Sequence, residues 1–299
     1  MQNNDKNIVI NSNTVIFLQV IFIIIMSLIY VINKIFPSIE LLFALSFLIL
    51  IWKIEFQKLL KSLLPFFILL LTFQGLRDYA DNLSKSQIHV VELINAEKLL
   101  FHGNIPAFYL QNNISKLPFL NSINILTNIL YMSHFVIPLI TAIIIWYKKP
   151  RFYWSFVTGL IILSYLGFST YIFYPAAPPW WATKYGYLTD QPVTLSPYFY
   201  PDLVETEGPN PVAAFPSLHM AYPTFVALFT YYIFGKKSKL IFLLPISIGF
   251  SAVYLGHHYV IDLIGGIIYA LFVFLGFCVF NNNFHIIINN ISNNISQSN

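Results

Sequence analysis

Two strings near the end of the chain bring together residue types that can do chemistry: Pro216-Ser217-Leu218-His219 and His257-His258-Tyr259-Val260-Ile261-Asp262. They place two histidines, a serine and a carboxylate at the ends of very apolar stretches. Ionisable groups are costly inside a bilayer, so at the edge of one they point to function. His258 and Asp262 are i and i+4 and share a helical face. A carboxylate against Nδ1–H fixes the imidazole tautomer and leaves Nε2 as a lone-pair nucleophile. Asp262 is the only acid in residues 208–299, which makes His258 its nearest candidate partner. His219 suits proton donation to a leaving oxygen, since a histidine ordinarily titrates near physiological pH. Pro216 suits the first turn of a helix, whose free N–H groups favour a phosphate, and Ser217 can add a hydrogen bond. The bland alternative for this string is a helix cap with an interfacial histidine.

Arg77 is the third piece. The chain has only two arginines, and Arg77 stands alone at the end of an apolar stretch in Gly75-Leu76-Arg77-Asp78. A guanidinium fork matches phosphate oxygens; pairing with Asp78 or Asp81 at the interface is the alternative. His257 points to a different face, where it contacts either the phosphate or the interface. His89, His102, His134 and His285 lack a partner at a telling spacing and are expected to be interfacial or structural. The constellation as a whole suits phosphoryl transfer to and from a histidine, carried out on a lipid.

The elements that must position these residues are membrane helices. Hydrophobic residues make up 57% of the 299 residues and charged residues only 9%, where a soluble domain carries roughly a quarter charged. The net charge of +4 does not indicate nucleic acid, because the basic residues sit in short clusters between apolar stretches. The single cysteine, Cys278, excludes an intrachain disulfide. The uncharged run Val15–Ile32 exceeds a signal-peptide core of roughly 7–15 residues, so a first span is expected there.

At roughly 17–25 apolar residues per span, the pattern predicts an all-α, polytopic transmembrane helical bundle forming a single membrane-integral domain. Spans are expected near 14–33, 39–53, 62–77, 121–147, 152–173, 213–234, 239–256 and 259–280. The Lys53/Lys58/Lys61, Lys148/Lys149/Arg151 and Lys236/Lys237/Lys239 clusters fall in three loops with one acid, Glu55. The positive-inside rule makes all three cytoplasmic, and eight spans put them on one side. Arg77, Ser217, His219 and His258 then share the opposite, non-cytoplasmic face. Between the spans, 78–120 has helical apolar spacing with charges on one face and is expected to hold an interfacial helix. The loop 174–212 is proline-dense, with nine of the 17 prolines in 175–216, and is expected to be either a rigid connector packed on the bundle or a lid or wall beside the site. The tail 281–299 is Asn/Ser-rich and expected to be flexible.

"AAFPSLHMAYPT" followed by "GHHYVIDLIGG" resembles the second and third signature motifs of the type 2 phosphatidic acid phosphatase (PAP2) superfamily. With "YPAAPPWW" and "LFHGNIPAFYLQ", the chain looks most like the inositol phosphorylceramide synthase branch, over roughly residues 60–280. The resemblance implies a six-helix core with one or two extra N-terminal spans. It also implies His258 as nucleophile, Asp262 orienting it, His219 protonating the leaving group and Ser217 binding phosphate. No metal or other cofactor is implied. The partners implied are a lipid phosphate or phospholipid, the bilayer and an alcohol or polyol acceptor. The superfamily's first motif, Lys-x6-Arg-Pro, is absent, and Arg77 is a partial stand-in. The arginine that phosphatases carry ahead of the third-motif histidine is replaced in Ser251-Ala252, with Lys184 or His257 as candidates to compensate. These departures lean toward transfer, with lipid phosphate or polyprenyl diphosphate hydrolysis as the alternative. A transporter or scaffold would spread polar residues across mid-span positions, which here are overwhelmingly apolar.

Overall fold

A computed structural model describes residues 88–194 and 212–280, within a compact unit spanning Leu69–Asn299. The spans expected at 14–33, 39–53 and 62–77, together with Arg77, Asp78, Asp81, His285 and the tail 281–299, lie outside the described residues.

Helix α1, Val91–Leu100, and helix α2, Pro106–Ile114, occupy the segment where an interfacial helix is expected. The charges of α1 do not all share one exposed face. Glu92 is exposed, whereas Glu97 is fully buried. Helix α3, Leu120–Lys148, and helix α4, Tyr153–Phe173, follow, joined by a 3-10 turn at Pro150–Phe152. The proline-dense loop holds the short helix α5, Pro179–Lys184. Helix α6, Leu218–Phe234, passes through a 3-10 segment, Gly235–Phe242, into helix α7, Leu243–Tyr254, and helix α8, Val260–Phe280, closes the bundle.

Four stretches among the described residues are long and apolar enough to cross a membrane: Leu120–Lys148, Pro150–Phe173, Leu218–Tyr254 and Val260–Val279. The third contains both α6 and α7. Gly235, at φ +71°, ends α6 with a backbone conformation that side chains rarely adopt. The two helices then run back along each other, so that Met220 at the start of α6 lies against Gly249 of α7. At about 1.5 Å per residue, the 21 residues of α8 reach about 31 Å, close to the thickness of a hydrocarbon core. Large apolar side chains such as Ile129, Ile144, Ile246 and Phe272 stay exposed along these helices, as lipid-facing positions require.

Helix α6 is the central element, packing against α3, α4, α7 and α8. Small residues let it approach. Gly159 of α4 faces the ring of Phe225, and a Cβ on Gly167 would come within 2.8 Å of Leu218. Phe156, Phe225 and Phe229 are fully buried and their rings pack together there, with centroids 5.3 to 5.7 Å apart.

The loop between α4 and α6 is stapled to the end of the bundle where α6 and α8 begin. Extended backbone at His89, Ala176 and Ala213 pairs in parallel through isolated bridges. Gln111 of α2 donates to the carbonyls of Thr194 and Tyr254 at 2.7 and 2.8 Å. The amide of Trp180 donates to Gly256 at 3.3 Å, which seats α5 over the α7–α8 turn. The described part of this loop is packed on the bundle through these contacts. Residues 195–211 lie outside the described residues.

Candidate active site

Helix α6 begins at Leu218, with Ser217 as its N-cap in extended conformation, so Pro216 precedes the cap instead of opening the first turn. The reason is local. The Pro216 carbonyl accepts from the Tyr171 hydroxyl at 2.8 Å, and the Ser217 amide donates to the Asp262 carbonyl at 3.0 Å. Both contacts hold this backbone out of the helix. The Phe215–Pro216 peptide is cis. The Ser217 carbonyl accepts the amides of Met220 and Ala221, but its hydroxyl caps nothing. Its Oγ is buried without a hydrogen-bond partner. A buried unpaired hydroxyl costs about 1–3 kcal/mol, so an acceptor brought there is welcome.

The start of α8 meets the start of α6 through Gly265 and Gly266. A Cβ on Gly265 would approach the Phe215 ring to 2.6 Å, and one on Gly266 would collide with the Ser217 carbonyl. The tandem glycines thus let the two sequence motifs touch. The turn before α8 is anchored by the Ala252 carbonyl, which accepts the amides of His257 and His258 at 3.1 and 3.2 Å.

This packing brings His219, His258 and Asp262 together. His219 Nδ1 lies 2.9 Å from His258 Nε2, and His258 Nδ1 lies 3.4 Å from Asp262 Oδ2. Asp262 is fully buried; its Oδ2 accepts the Tyr259 amide at 2.8 Å and its Oδ1 has no hydrogen-bond partner. His258 is 3% exposed. Burial pushes its imidazole down to about 4, with the Ala214 carbonyl pulling the other way. The ring is therefore neutral near pH 7, the form a nucleophile needs. With Nδ1–H toward Asp262, Nε2 accepts from His219 Nδ1–H.

Two aromatic residues of α3 complete the surroundings. Tyr131 stacks on His219 at 4.1 Å and on His257 at 4.5 Å between centroids. His134 sits 3.9 Å from the His219 ring and donates from Nδ1 to the Tyr131 carbonyl at 2.6 Å. The sequence treats His134 as structural, because nothing within a few residues pairs with it. Its neighbour is on another helix. His257 joins the same cluster through Tyr131. Lys184 ends α5 with its ammonium 5.5 Å above the Tyr185 ring. Arg77 falls outside the described residues.

A neutral imidazole backed by a carboxylate, a second imidazole at hydrogen-bond distance and a buried hydroxyl at a helix N-terminus form a set for nucleophilic phosphoryl transfer. Comparison with known proteins places the chain in a family. Residues 95–276 match the PAP2 superfamily. A phosphoinositol dihydroceramide synthase of Bacteroides thetaiotaomicron is 29% identical over 264 residues, covering 80% of this chain and 83% of that protein. An inositol phosphorylceramide synthase of Candida albicans is 31% identical over 158 residues, which is 47% of this chain and 33% of that protein. The catalytic subunit of the Saccharomyces cerevisiae inositol phosphorylceramide synthase is 32% identical over 113 residues, 34% of this chain and 28% of that protein. No solved structure matches. With more than half of its length in the family match, the chain belongs to the PAP2 superfamily, in its inositol phosphorylceramide synthase-like branch, and is a membrane-integral lipid phosphatase or phosphotransferase.

Proposed function

We propose that this protein moves the phosphorylated head group of a phospholipid onto the hydroxyl of a ceramide-type lipid, through a phosphohistidine at His258. The observation that carries the reading is the 2.9 Å contact between His219 Nδ1 and His258 Nε2, with Asp262 behind His258. His258 Nε2 attacks the phosphorus of the donor phosphodiester in line. The N–P bond forms as the P–O bond to the diacylglycerol part breaks, and His219, protonated to imidazolium beside the bound phosphodiester anion, gives one proton to the departing alkoxide and is left as neutral imidazole. The acceptor hydroxyl then loses its proton to His219 and attacks the same phosphorus, and the N–P bond breaks. The Ser217 hydroxyl and the free amides at the start of α6 hold charge on the equatorial oxygens, with Arg77 as a further phosphate ligand. Two features support transfer over hydrolysis: the similarity over 80% of the chain to a phosphoinositol dihydroceramide synthase, and the small Ala252 where phosphatases carry arginine.

The site faces the non-cytoplasmic side in this proposal. Lys148, Arg151, Lys236, Lys237 and Lys239 are exposed where α3 ends, α4 begins and the α6–α7 turn lies, at the other ends of the helices that carry the site.

The test is incubation of purified protein with a head-group-labelled inositol phospholipid, with and without ceramide or dihydroceramide. Label in a new sphingolipid is the expected outcome. Label released only as a soluble phosphate ester, at the same rate with and without acceptor, overturns transfer in favour of hydrolysis.

A further inference from the structure

Glu97 is fully buried although it belongs to a short helix outside the spans. Its two oxygens take two different backbone amides. Oε1 accepts from Val260 at 3.0 Å and Oε2 from Ile261 at 3.1 Å. These residues open α8, where amides have no partner within the helix and the helix dipole favours a negative charge. The preceding amide, of Tyr259, goes to Asp262 Oδ2 at 2.8 Å. Three consecutive amides are thus divided between two carboxylates, one from α1 and one from α8 itself. Most helices take such a cap from an adjacent Ser, Thr, Asp or Asn. Here position 259 is tyrosine, and the cap comes from Glu97, 163 positions before Val260. Lys98, next to Glu97, binds Asp190 of the proline-dense loop at 2.8 Å. Helix α1 is therefore fastened both to the loop and to the turn that carries the site.

We propose that Glu97 is a positioning residue for phosphoryl transfer: by clamping the amides of Val260 and Ile261, it sets the rotation of the first turn of α8 at which Asp262 stands behind His258. The inference rests on the function proposed above. The geometry leaves little slack, because the His258 Nδ1 to Asp262 Oδ2 separation is already 3.4 Å. A displacement of about 1 Å in a reacting group is enough to cost roughly a hundredfold in rate.

The test uses the purified full-length protein and two variants. Glu97→Ala removes both acceptors, and Glu97→Gln keeps one. In Glu97→Ala, kcat for the labelled lipid donor is expected to fall about tenfold to a hundredfold, as for other supports of reacting groups. KM is expected to stay within about twofold, and Glu97→Gln to fall between. Unchanged kcat in a folded variant overturns the proposal, as does a rise in KM with kcat retained. If Glu97→Ala does not fold, the kcat and KM of Glu97→Gln decide. A second readout does not need turnover. With 15N-labelled histidine, the ring resonances of His258, assigned by difference against His258→Asn, are expected to shift in Glu97→Gln while those of His102 do not. Unmoved His258 resonances overturn the positioning role. A wild-type chain that turns over no lipid donor refutes the proposed function instead, and the histidine resonances then judge Glu97 alone.

Discussion

The two ends of the helical bundle treat ionisable groups in opposite ways. Where α6 and α8 begin, His258, Asp262 and Glu97 are buried and each has a defined neighbour. Where α3 meets α4 and α6 meets α7, Lys148, Arg151, Lys236, Lys237 and Lys239 are exposed. Charge left in water is screened and interchangeable, so the second end needs only the right sign. Charge taken out of water needs specific neighbours, so the first end tolerates little change. The contrast teaches which residues carry information: at one end the identity and position of each side chain, at the other only the sum.

Substitutions at the two ends should separate accordingly. His258→Ala is expected to lower turnover by at least about 10³-fold and to abolish covalent labelling by head-group-labelled lipid. Retained labelling in monodisperse protein would remove His258 as the nucleophile and break the contrast at its root. Ser217→Ala leaves the helix start in place but removes the hydroxyl proposed to bind phosphate, and a fall in kcat of roughly a hundredfold is expected. Gly266→Ala sets a methyl group against the Ser217 carbonyl. It should lower the thermal midpoint and kcat together, since overpacking of a tight contact costs about 1–3 kcal/mol. An unchanged midpoint would show that the motif contact has room to yield. At the other end, Lys236→Gln with Lys237→Gln and Lys239→Gln should leave kcat within about twofold in correctly oriented protein, as for surface substitutions in general. A larger loss would mean that this end takes part in the chemistry.

Much of the chemical end was legible in the strings that flank it. His258 and Asp262 are four residues apart on one helix, so local geometry alone predicts their contact. The last five expected spans recur as helices with ends shifted by a few residues, because long apolar runs leave little choice of structure. What escaped detection depends on distant partners. Glu97 sits with Glu92 and Lys98 in a short helix, and periodicity does not distinguish an acid facing water from one facing two amides 163 and 164 residues away. His134 looks like an isolated histidine in an apolar run until α6 places His219 beside it. Gly266 carries no chemistry of its own, and its value shows only in how near the Ser217 backbone comes.

The inward turn of Glu97 has a consequence for how the protein responds to acid. Burial pushes this carboxyl up to about 7, against the pull of the Val260 and Ile261 amides and with Asp262 adding to the rise. Among the described residues, Asp262 and Tyr259 are titratable groups that interact with it. The folded chain holds the proton more tightly than the unfolded chain does. This group's contribution to stability is therefore full below its ordinary value of 4.5 and fades as pH climbs through about 7. Turnover should run the other way, because only the ionised clamp offers an acceptor to each amide. Mild acidification is thus expected to yield a tougher but slower enzyme, seen as a rising thermal midpoint and a falling kcat below about pH 7, with both slopes flattened in Glu97→Gln.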